Sequence, residues 1–498
     1  MAVVNPIPDA IVHGDVPDSR WGSPLRLAFA VAVVSTLAVL LPAFLVVAVE
    51  NVGRSNAWVV TLGLMVWAGL RLSVLCINGR PRLFNYFFWL FVYLFMGLAP
   101  TVQMRADRPS TTAPGVEASQ DLRVALIVVL GVVCFEIGTV LAAVRSSSGE
   151  QRQRQPPARR REVSRVRTVV LTVVGLTVTT YYISRIGLST QFSNRVAAGA
   201  ARVAVWPEPA LRALVYASAI YPSLVAAGAL AQLRLGDSKV WRRVGWIGML
   251  TCAIFLLVAV SPFATARYNF GTVVFALAVH FGAVRTRLRV QTTMLATVLA
   301  FLFIFPLGDL FRRAGSSGST RTGFFDEYLG NPDYDAFWQI ANADMLWSEG
   351  ILTPLRQLSG SLLFWVPRSI WADKPIDTGA LLAEYRGYTF QNLSAPMWAE
   401  ALVNGGLVAL VIAFLALGYA LFRMDNRLAE AFAVGGAWAI AGAVFPVYMT
   451  ILLRGSWLQA TGALMVAVVC TLFVAGRRSD EPPPQPKPAG HTTARTTV

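Results

Sequence analysis

Basic and aromatic side chains are concentrated in one long polar segment, residues 309–400. Arginine binds phosphate in a bidentate way, and tryptophan favours the headgroup zone of a bilayer. This composition favours a ligand that combines a phosphate, sugar rings and a lipid tail, and the alternative is a folded cap with ordinary surface charges. The segment contains seven basic residues and five of the 14 tryptophans: Arg312, Arg313, Arg321, Arg356, Arg368, Lys374, Arg386, Trp338, Trp347, Trp365, Trp371 and Trp398.

Glu400 is the candidate general base, because its carboxylate lies where the polar segment meets the next apolar run. Asn404 follows four residues later, on the same face of a helix, and could orient Glu400 or contact a sugar. Asp373 and Asp309 are alternative bases. An acid that only complements the dipole of a helix N-terminus is the structural alternative for Glu400.

Other residue types offer little chemistry. The four cysteines are far apart in apolar runs and show no disulfide or zinc-ligand spacing, so small buried side chains are expected. Of the three histidines, His13 and His491 lie in polar termini, and His280 lies near the inner end of an apolar run. We expect no metal site and no cofactor.

The elements that must position these residues are transmembrane helices. Only 14% of the 498 residues are charged, against about 25% in soluble domains, and the apolar runs are long enough for a bilayer core of about 30 Å. Their length excludes barrel strands. Arg71 lies inside the second run and Glu136 inside the fourth, and we expect both to pair with protein groups. The predicted spans are 26–49, 57–77, 83–100, 121–144, 168–187, 211–233, 244–262, 268–284, 290–308, 401–422, 431–450 and 456–475.

The distribution of Lys and Arg predicts the orientation of the chain. With the N-terminus inside, 26 of the 43 basic residues lie on the inner side, and the short outer loops hold only 10. We therefore predict an all-α polytopic protein of the cytoplasmic membrane, with about 12 spans, one large extracytoplasmic loop and both termini in the cytoplasm. The net charge of +16 follows from this topology and does not indicate nucleic acid.

The predicted organisation has five parts. Residues 1–25 form a cytoplasmic segment, 26–308 form spans 1–9, 309–400 form the outer loop, 401–475 form spans 10–12, and 476–498 form a disordered tail. Within the loop, the apolar stretch Ile351–Pro367 predicts a short interfacial or re-entrant helix that lies against the membrane.

Several stretches between residues 180 and 420 resemble the bacterial oligosaccharide repeat-unit polymerases of the O-antigen polymerase type. The residues that carry the resemblance are Tyr181–Leu188, Phe192–Arg195, Ser261–Tyr268, Phe305, Pro306, Asp309, Phe311, Arg312, Phe364–Arg368, Trp371, Lys374, Pro375, Gly379, Ser394, Pro396, Glu400, Asn404, Gly405 and Gly406.

The resemblance implies a glycosyltransferase that joins polyprenyl-diphosphate-linked oligosaccharides outside the cytoplasmic membrane, with membrane lipids and a chain-length regulator protein as further partners. We expect Arg267, Arg368, Arg312 and Arg195 to include the cations that hold the diphosphate. Arg267 is notable, because a charge in a short turn between two spans is costly unless it is used. Lys374, Tyr268, Trp371 and Asn404 complete the predicted substrate-binding set.

Two other functions stay open. A lipid-glycan flippase or other transporter would also use many spans and a basic cavity. An O-antigen ligase is expected to use a histidine base, and no histidine lies in the predicted outer segments.

Overall fold

The structure is a computed structural model that describes residues 23–150, 161–235, 238–304 and 324–478. These residues form helices and two short strands that pair antiparallel, β1 (Arg161–Val163) and β2 (Ala475–Arg478). The helices before residue 305 are α1 (Pro24–Ala48), α2 (Trp58–Asn78), α3 (Leu83–Arg105), α4 (Ala118–Glu150), α5 (Arg165–Ile186), α6 (Leu188–Gln191), α7 (Arg195–Val205), α8 (Pro209–Leu233), α9 (Lys239–Ala259), α10 (Arg267–Phe281) and α11 (Arg287–Ile304). The helices after residue 323 are α12 (Asp326–Gly330), α13 (Ala336–Ser348), α14 (Arg356–Leu362), α15 (Thr378–Arg386), α16 (Met397–Val434), α17 (Ala437–Arg454) and α18 (Trp457–Val474).

Among the described residues, 11 helices are long and apolar enough to cross a membrane. The chain is therefore an all-α polytopic membrane protein. The eighth predicted span, 268–284, corresponds to α10, which has only 15 residues. A helix of this length rises about 22 Å, which is less than the hydrocarbon thickness of about 30 Å. Irregular residues 260–266 and 282–286 lengthen this segment at its two ends.

Contacts between helix termini define two ends of the bundle. At one end, Arg54 pairs with Asp121, and Arg454 pairs with Asp333. Residues 324–396 pack at this end, which we name the loop end. At the opposite end, Arg234 donates to the main-chain oxygen of His280. This end carries residues 238–243 and 282–289, and we name it the basic end.

Arg71 and Glu136 are paired within the spans, which agrees with the prediction that each needs a protein partner. Arg71 of α2 pairs with Glu136 of α4, and the Arg71 guanidinium also lies 5.5 Å from the Trp89 ring centre. A membrane interior disfavours a lone charge, so pairing lowers the free-energy cost of each charged side chain there.

We predict that Arg71→Leu lowers the thermal unfolding midpoint of the purified protein, because it leaves Glu136 without its cation. An uncompensated charge at the centre of a spanning helix costs about 2.5–3.5 kcal/mol. The double variant Arg71→Leu/Glu136→Leu should recover most of the loss. Equal midpoints for the single and double variants would contradict the pairing role.

The described part of the predicted outer loop is a folded cap on the bundle. The side chain of Gln103 in α3 donates to the main-chain oxygen of Tyr328 at 2.8 Å and accepts from the indole N–H of Trp338 at 2.6 Å. Arg123 of α4 pairs with Asp344 of α13. Trp338 and Trp398 are fully buried. These contacts hold the cap against the loop end.

Candidate functional site

Three arginines lie near one tyrosine at the loop end, and a fourth arginine precedes this tyrosine in the chain. The Tyr268 hydroxyl interacts electrostatically with Arg195, Arg202 and Arg454. Arg267 is the preceding residue and begins the same helix, α10. We name these four arginines the arginine cluster. Tyr268 is 44% exposed, so the cluster lies beside an accessible surface.

The amphipathic helix α7 supplies two members of the cluster. Asn194 caps its N-terminus by accepting from the main-chain N–H of Ala197 at 2.9 Å. Arg195 and Arg202 are seven residues apart, so they lie on one face of this helix. Arg202 donates to the main-chain oxygen of Ala264 at 3.0 Å and lies 5.5 Å from the Tyr216 ring centre. Neither arginine contacts a carboxylate among the described residues, so both can bind an anion.

The other two members are fixed by acids of the loop. The Arg267 side chain is 8% exposed, and its Nη1 lies 3.4 Å from Glu327 Oε1. Glu327 also accepts from the side chain of Asn331. Arg454 donates to the main-chain oxygen of Asp333 at 2.9 Å and to its carboxylate at 3.2 Å. The loop acids thereby fix the positions of the two guanidinium groups.

A buried carboxylate links this region to the end of the loop. Asp335 is 1% exposed and lies 3.7 Å from Arg454. It accepts from the hydroxyl of Ser394 and from the main-chain N–H of Ser394 at 3.2 Å. Thr112, between α3 and α4, donates to the same carboxylate at 3.2 Å. Asp335 therefore links three other segments of the chain, which contribute Thr112, Ser394 and Arg454.

A second basic group lies in residues 364–375, which we name the tryptophan segment. Arg368 donates to the main-chain oxygens of Lys374 at 2.7 Å and Pro375 at 3.3 Å. The Lys374 ammonium group donates to the main-chain oxygens of Phe364 at 2.6 Å and Val366 at 2.9 Å. Burial and the nearby Arg368 guanidinium lower the pKa of the Lys374 ammonium group. These bonds close the segment into a compact turn.

The tryptophan segment presents apolar side chains outward. Trp365 is 69% exposed and Ile370 is 79% exposed, while Trp371 is half-buried. Leu362 of the adjacent α14 is also exposed, as is Leu355, which directly precedes that helix. Exposed aromatic and aliphatic side chains beside cations suit the interface of a bilayer. The prediction of a short helix in this stretch agrees with α14, and its position in the membrane stays a prediction.

The connection between α17 and α18 contacts the loop through Arg454 and Ser456. Arg454 donates to the main-chain oxygen of Asp333, and the Ser456 hydroxyl accepts from the main-chain N–H of Thr378 at 3.1 Å.

No direct contact joins Arg368 to the arginine cluster within the described residues. The structure therefore brings Arg195, Arg267 and Tyr268 together, and it places Arg368, Lys374 and Trp371 in a second group at the same end.

Glu400 is enclosed in the structure. Its side chain is 0% exposed. One carboxylate oxygen accepts from the Thr378 hydroxyl at 2.8 Å, and the other accepts from the main-chain N–H of Trp457 at 2.8 Å. These bonds join α15, α16 and α18. The carboxylate therefore positions the loop, and its role as a general base stays a prediction.

Asn404 also forms a structural link. Its Nδ2 donates to the main-chain oxygen of Glu400 at 2.7 Å, and its Oδ1 accepts from the main-chain N–H of Leu358 at 2.8 Å. It therefore does not contact the Glu400 carboxylate. Gly406, two residues later, has a φ of +61°, and a Cβ there would lie 2.5 Å from Trp347 Nε1. The kink at Gly405 and Gly406 gives the loop room to pack against α16.

Two members of the cluster, Arg202 and Arg454, are absent from the sequence-based set. The spacing of Arg202 from Arg195 is a signal that could have identified it, since residues seven apart share a helix face. Arg454 ends an apolar run on the same side as the loop, which is a weaker signal. The predicted residues Arg312 and Asp309 lie outside the described residues.

No family model matches the chain, and neither the curated proteins nor the solved structures contain a match.

Proposed function

We propose that the chain is a membrane glycosyltransferase that polymerises polyprenyl-diphosphate-linked oligosaccharide repeat units on the outer face of the cytoplasmic membrane. The observation that carries the proposal is the arginine cluster, which lies beside a folded cap at one end of a helical bundle. The resemblance of residues 180–420 to repeat-unit polymerases supplies the reaction class.

In the proposed reaction, a hydroxyl of the incoming lipid-linked unit attacks the anomeric carbon of the growing chain. The bond from that carbon to the diphosphate oxygen breaks, polyprenyl diphosphate leaves, and the hydroxyl loses its proton. Negative charge develops on the leaving diphosphate. Fixed guanidinium groups stabilise that charge more in the transition state than in the ground state.

We assign the arginines two roles. Arg195 and Arg202 contact no described carboxylate and are placed to bind the diphosphate directly. Arg267 and Arg454 are held by loop acids and keep the local potential positive beside them. Arginine stays ionised at any physiological pH, so the charge of the cluster is permanent.

The tryptophan segment is suited to the lipid and sugar portions of the substrate. Trp365 and Ile370 can enter the bilayer interface, where the polyprenyl chain lies. Trp371 offers a ring face for a sugar, and Arg368 and Lys374 add positive charge next to it. The two basic groups are assigned to the donor and acceptor lipids, which each carry a diphosphate.

The structure favours Asp373 over Glu400 as the group that removes the proton. The Asp373 side chain is 78% exposed, lies 3.5 Å from Arg356 and belongs to the tryptophan segment. A base must reach the proton that it abstracts. Glu400 is assigned the role of a positioning residue, because its carboxylate is enclosed.

We predict that Glu400→Ala lowers the thermal unfolding midpoint, since it removes the acceptor of both the Thr378 hydroxyl and the main-chain N–H of Trp457. A buried donor left without a partner costs about 1–3 kcal/mol. Asp373→Asn should keep the midpoint and lose polymer formation. Glu384→Gln, which changes an exposed acid of the same loop, should change neither. A fully stable Glu400→Ala protein without polymerase activity would restore Glu400 as the base.

Gene deletion followed by sizing of the surface glycan tests the function itself. A polymerase mutant should export single repeat units in place of long chains. A flippase mutant should accumulate lipid-linked units in the cytoplasmic leaflet, and a ligase mutant should accumulate long chains on the polyprenyl lipid. Either of the last two outcomes would refute the proposal.

A further inference from the structure

A cavity of about 80 Å³ lies between α2, α3, α4 and α16, toward the basic end of the bundle. Arg287 of the basic end donates to the main-chain oxygen of Ile77, which places the end of α2 there. Thr139 lines the cavity 21 residues after the start of α4 at the loop end, which is about 32 Å along the helix axis. This distance is close to a hydrocarbon thickness of about 30 Å, so the cavity lies at the depth expected for headgroups. The polar residues that line it are Arg71, Asn78, Arg82, Asn85 and Thr139.

Arg82 brings a cation to this cavity that lacks an acceptor. It is half-buried, and its guanidinium group makes no hydrogen bond or ion pair with the residues that the structure describes. It lies 5.7 Å from the ring centre of Phe422, which also lines the cavity. Burial lowers the pKa of the Arg82 guanidinium, attraction to Asp425 opposes this shift, and repulsion from Arg80 and Arg71 adds to it. A half-buried cation without an acceptor costs free energy that a bound anion can recover.

Arg71 places a second guanidinium group at the cavity. This group pairs with Glu136, but the Arg71 side chain remains 39% exposed. It lies 5.5 Å from the ring centre of Trp89, another lining residue. A guanidinium group has five N–H donors, so a bond to one carboxylate leaves donors for a second anion.

The nearby acid Asp425 does not occupy the cavity. Asp425 is 1% exposed, and its carboxylate accepts from the main-chain N–H groups of Phe84 at 2.9 Å and Asn85 at 3.0 Å. No acid is among the described residues that line the cavity. Asn78, the last residue of α2, is exposed and adds an amide donor at the cavity. The polar wall therefore suits an anion.

Exposed apolar side chains continue from the cavity toward the centre of the bilayer. Val74 lines the cavity and is 49% exposed, and Leu70, one turn earlier in α2, is 43% exposed. Exposed apolar side chains of a membrane-spanning helix contact lipid. A basic cavity between spanning helices at headgroup depth, continuous with such a surface, suits the phosphate of an anionic lipid better than a soluble phosphate.

We propose that this cavity binds the phosphate of an anionic lipid such as phosphatidylglycerol. The phosphate oxygens lie between Arg71 and Arg82, the rest of the headgroup lies beside Asn78, and one acyl chain follows Val74 and Leu70. The lipid enters from the leaflet at the basic end. The arginine cluster lies at the other end of the bundle, so this inference does not depend on the function proposed there.

The test uses the purified and delipidated full-length protein. Phosphatidylglycerol and the zwitterionic phosphatidylcholine are titrated and followed by native mass spectrometry, and glycerol 3-phosphate is titrated by calorimetry. Arg82→Gln removes the cation that lacks an acceptor. Asn78→Asp introduces a carboxylate of almost the same size at an exposed position. Arg423→Gln is the matched control, because it removes an exposed arginine next to Phe422 that does not line the cavity.

We expect one molecule of phosphatidylglycerol to bind the wild type about tenfold or more tightly than phosphatidylcholine does. Arg82→Gln and Asn78→Asp should each weaken phosphatidylglycerol binding about tenfold or more, and Arg423→Gln should retain it. The proposal is wrong if the protein shows no preference for phosphatidylglycerol, if both cavity variants bind it normally, or if Arg423→Gln loses binding to the same extent. Binding of glycerol 3-phosphate as tight as that of the lipid would contradict the assignment to a lipid.

Discussion

The double variant Arg195→Gln/Arg202→Gln is expected to form at least about a hundredfold less polymer than the wild type, with normal amounts of folded protein. Both arginines lie on one face of α7, and neither contacts a carboxylate among the described residues. Removing them therefore leaves no buried acid without a partner. The loss falls on transition-state stabilisation, where a single donor to a developing anion is worth about 10²–10³ in rate.

The measurement is glycan chain length in a deletion strain complemented with each variant. Arg185→Gln is the control, since it removes an exposed arginine at the loop end that is outside the cluster. Polymer of wild-type length from the double variant would show that α7 does not contribute to the site. Equal losses from Arg185→Gln would show that only the total charge of the surface matters.

Arg267 requires a different design, because it pairs with Glu327, which is only 2% exposed. Breaking a buried pair by removing one partner costs about 3–5 kcal/mol. Arg267→Gln alone therefore mixes a folding defect with a catalytic one. Arg267→Gln/Glu327→Gln removes both charges. If the double variant regains stability and remains inactive, Arg267 acts on the substrate.

The hydrophobic pattern of the sequence determines most of the fold. The predicted span 211–233 corresponds to α8 (Pro209–Leu233), and the span 57–77 corresponds to α2 (Trp58–Asn78). This agreement has a simple cause, because a chain in lipid must satisfy its backbone hydrogen bonds within each helix. Local composition is then sufficient to predict the helices that span the membrane.

The environment of Glu400 could not be predicted in this way. Its two hydrogen-bond donors are Thr378, 22 residues earlier, and Trp457, 57 residues later. Sequence position indicates only that Glu400 begins a span at its polar end. Whether the carboxylate is presented or enclosed depends on how the loop folds back over the bundle, and no local pattern encodes that packing.

Arg71 and Glu136 are an intermediate case. Their cost in lipid predicts that each needs a protein partner, and the structure shows that they pair with each other. The sequence alone could not choose this partner, because 65 residues separate the two. The same limit applies to Arg454, because its partners Asp333 and Asp335 reach it from the loop.

The side of the membrane on which the loop end lies has an all-or-none test by cysteine labelling. All four native cysteines are buried, so they give little background. Ser369→Cys places a thiol at an exposed position of the tryptophan segment, and Lys239→Cys places one at an exposed position of the basic end. We predict that a membrane-impermeant maleimide labels Ser369→Cys in intact cells and labels Lys239→Cys only after permeabilisation.

The physical reason for this orientation is the excess of Lys and Arg at the basic end, since short cytoplasmic loops retain positive charge. The arginine cluster lies at the opposite end, where acids of the loop neutralise part of its charge by pairing with Arg267 and Arg454. The reverse labelling pattern would place the loop end in the cytosol. That result would exclude an exported lipid-linked glycan as the substrate. It would not affect the contacts that assemble the cluster.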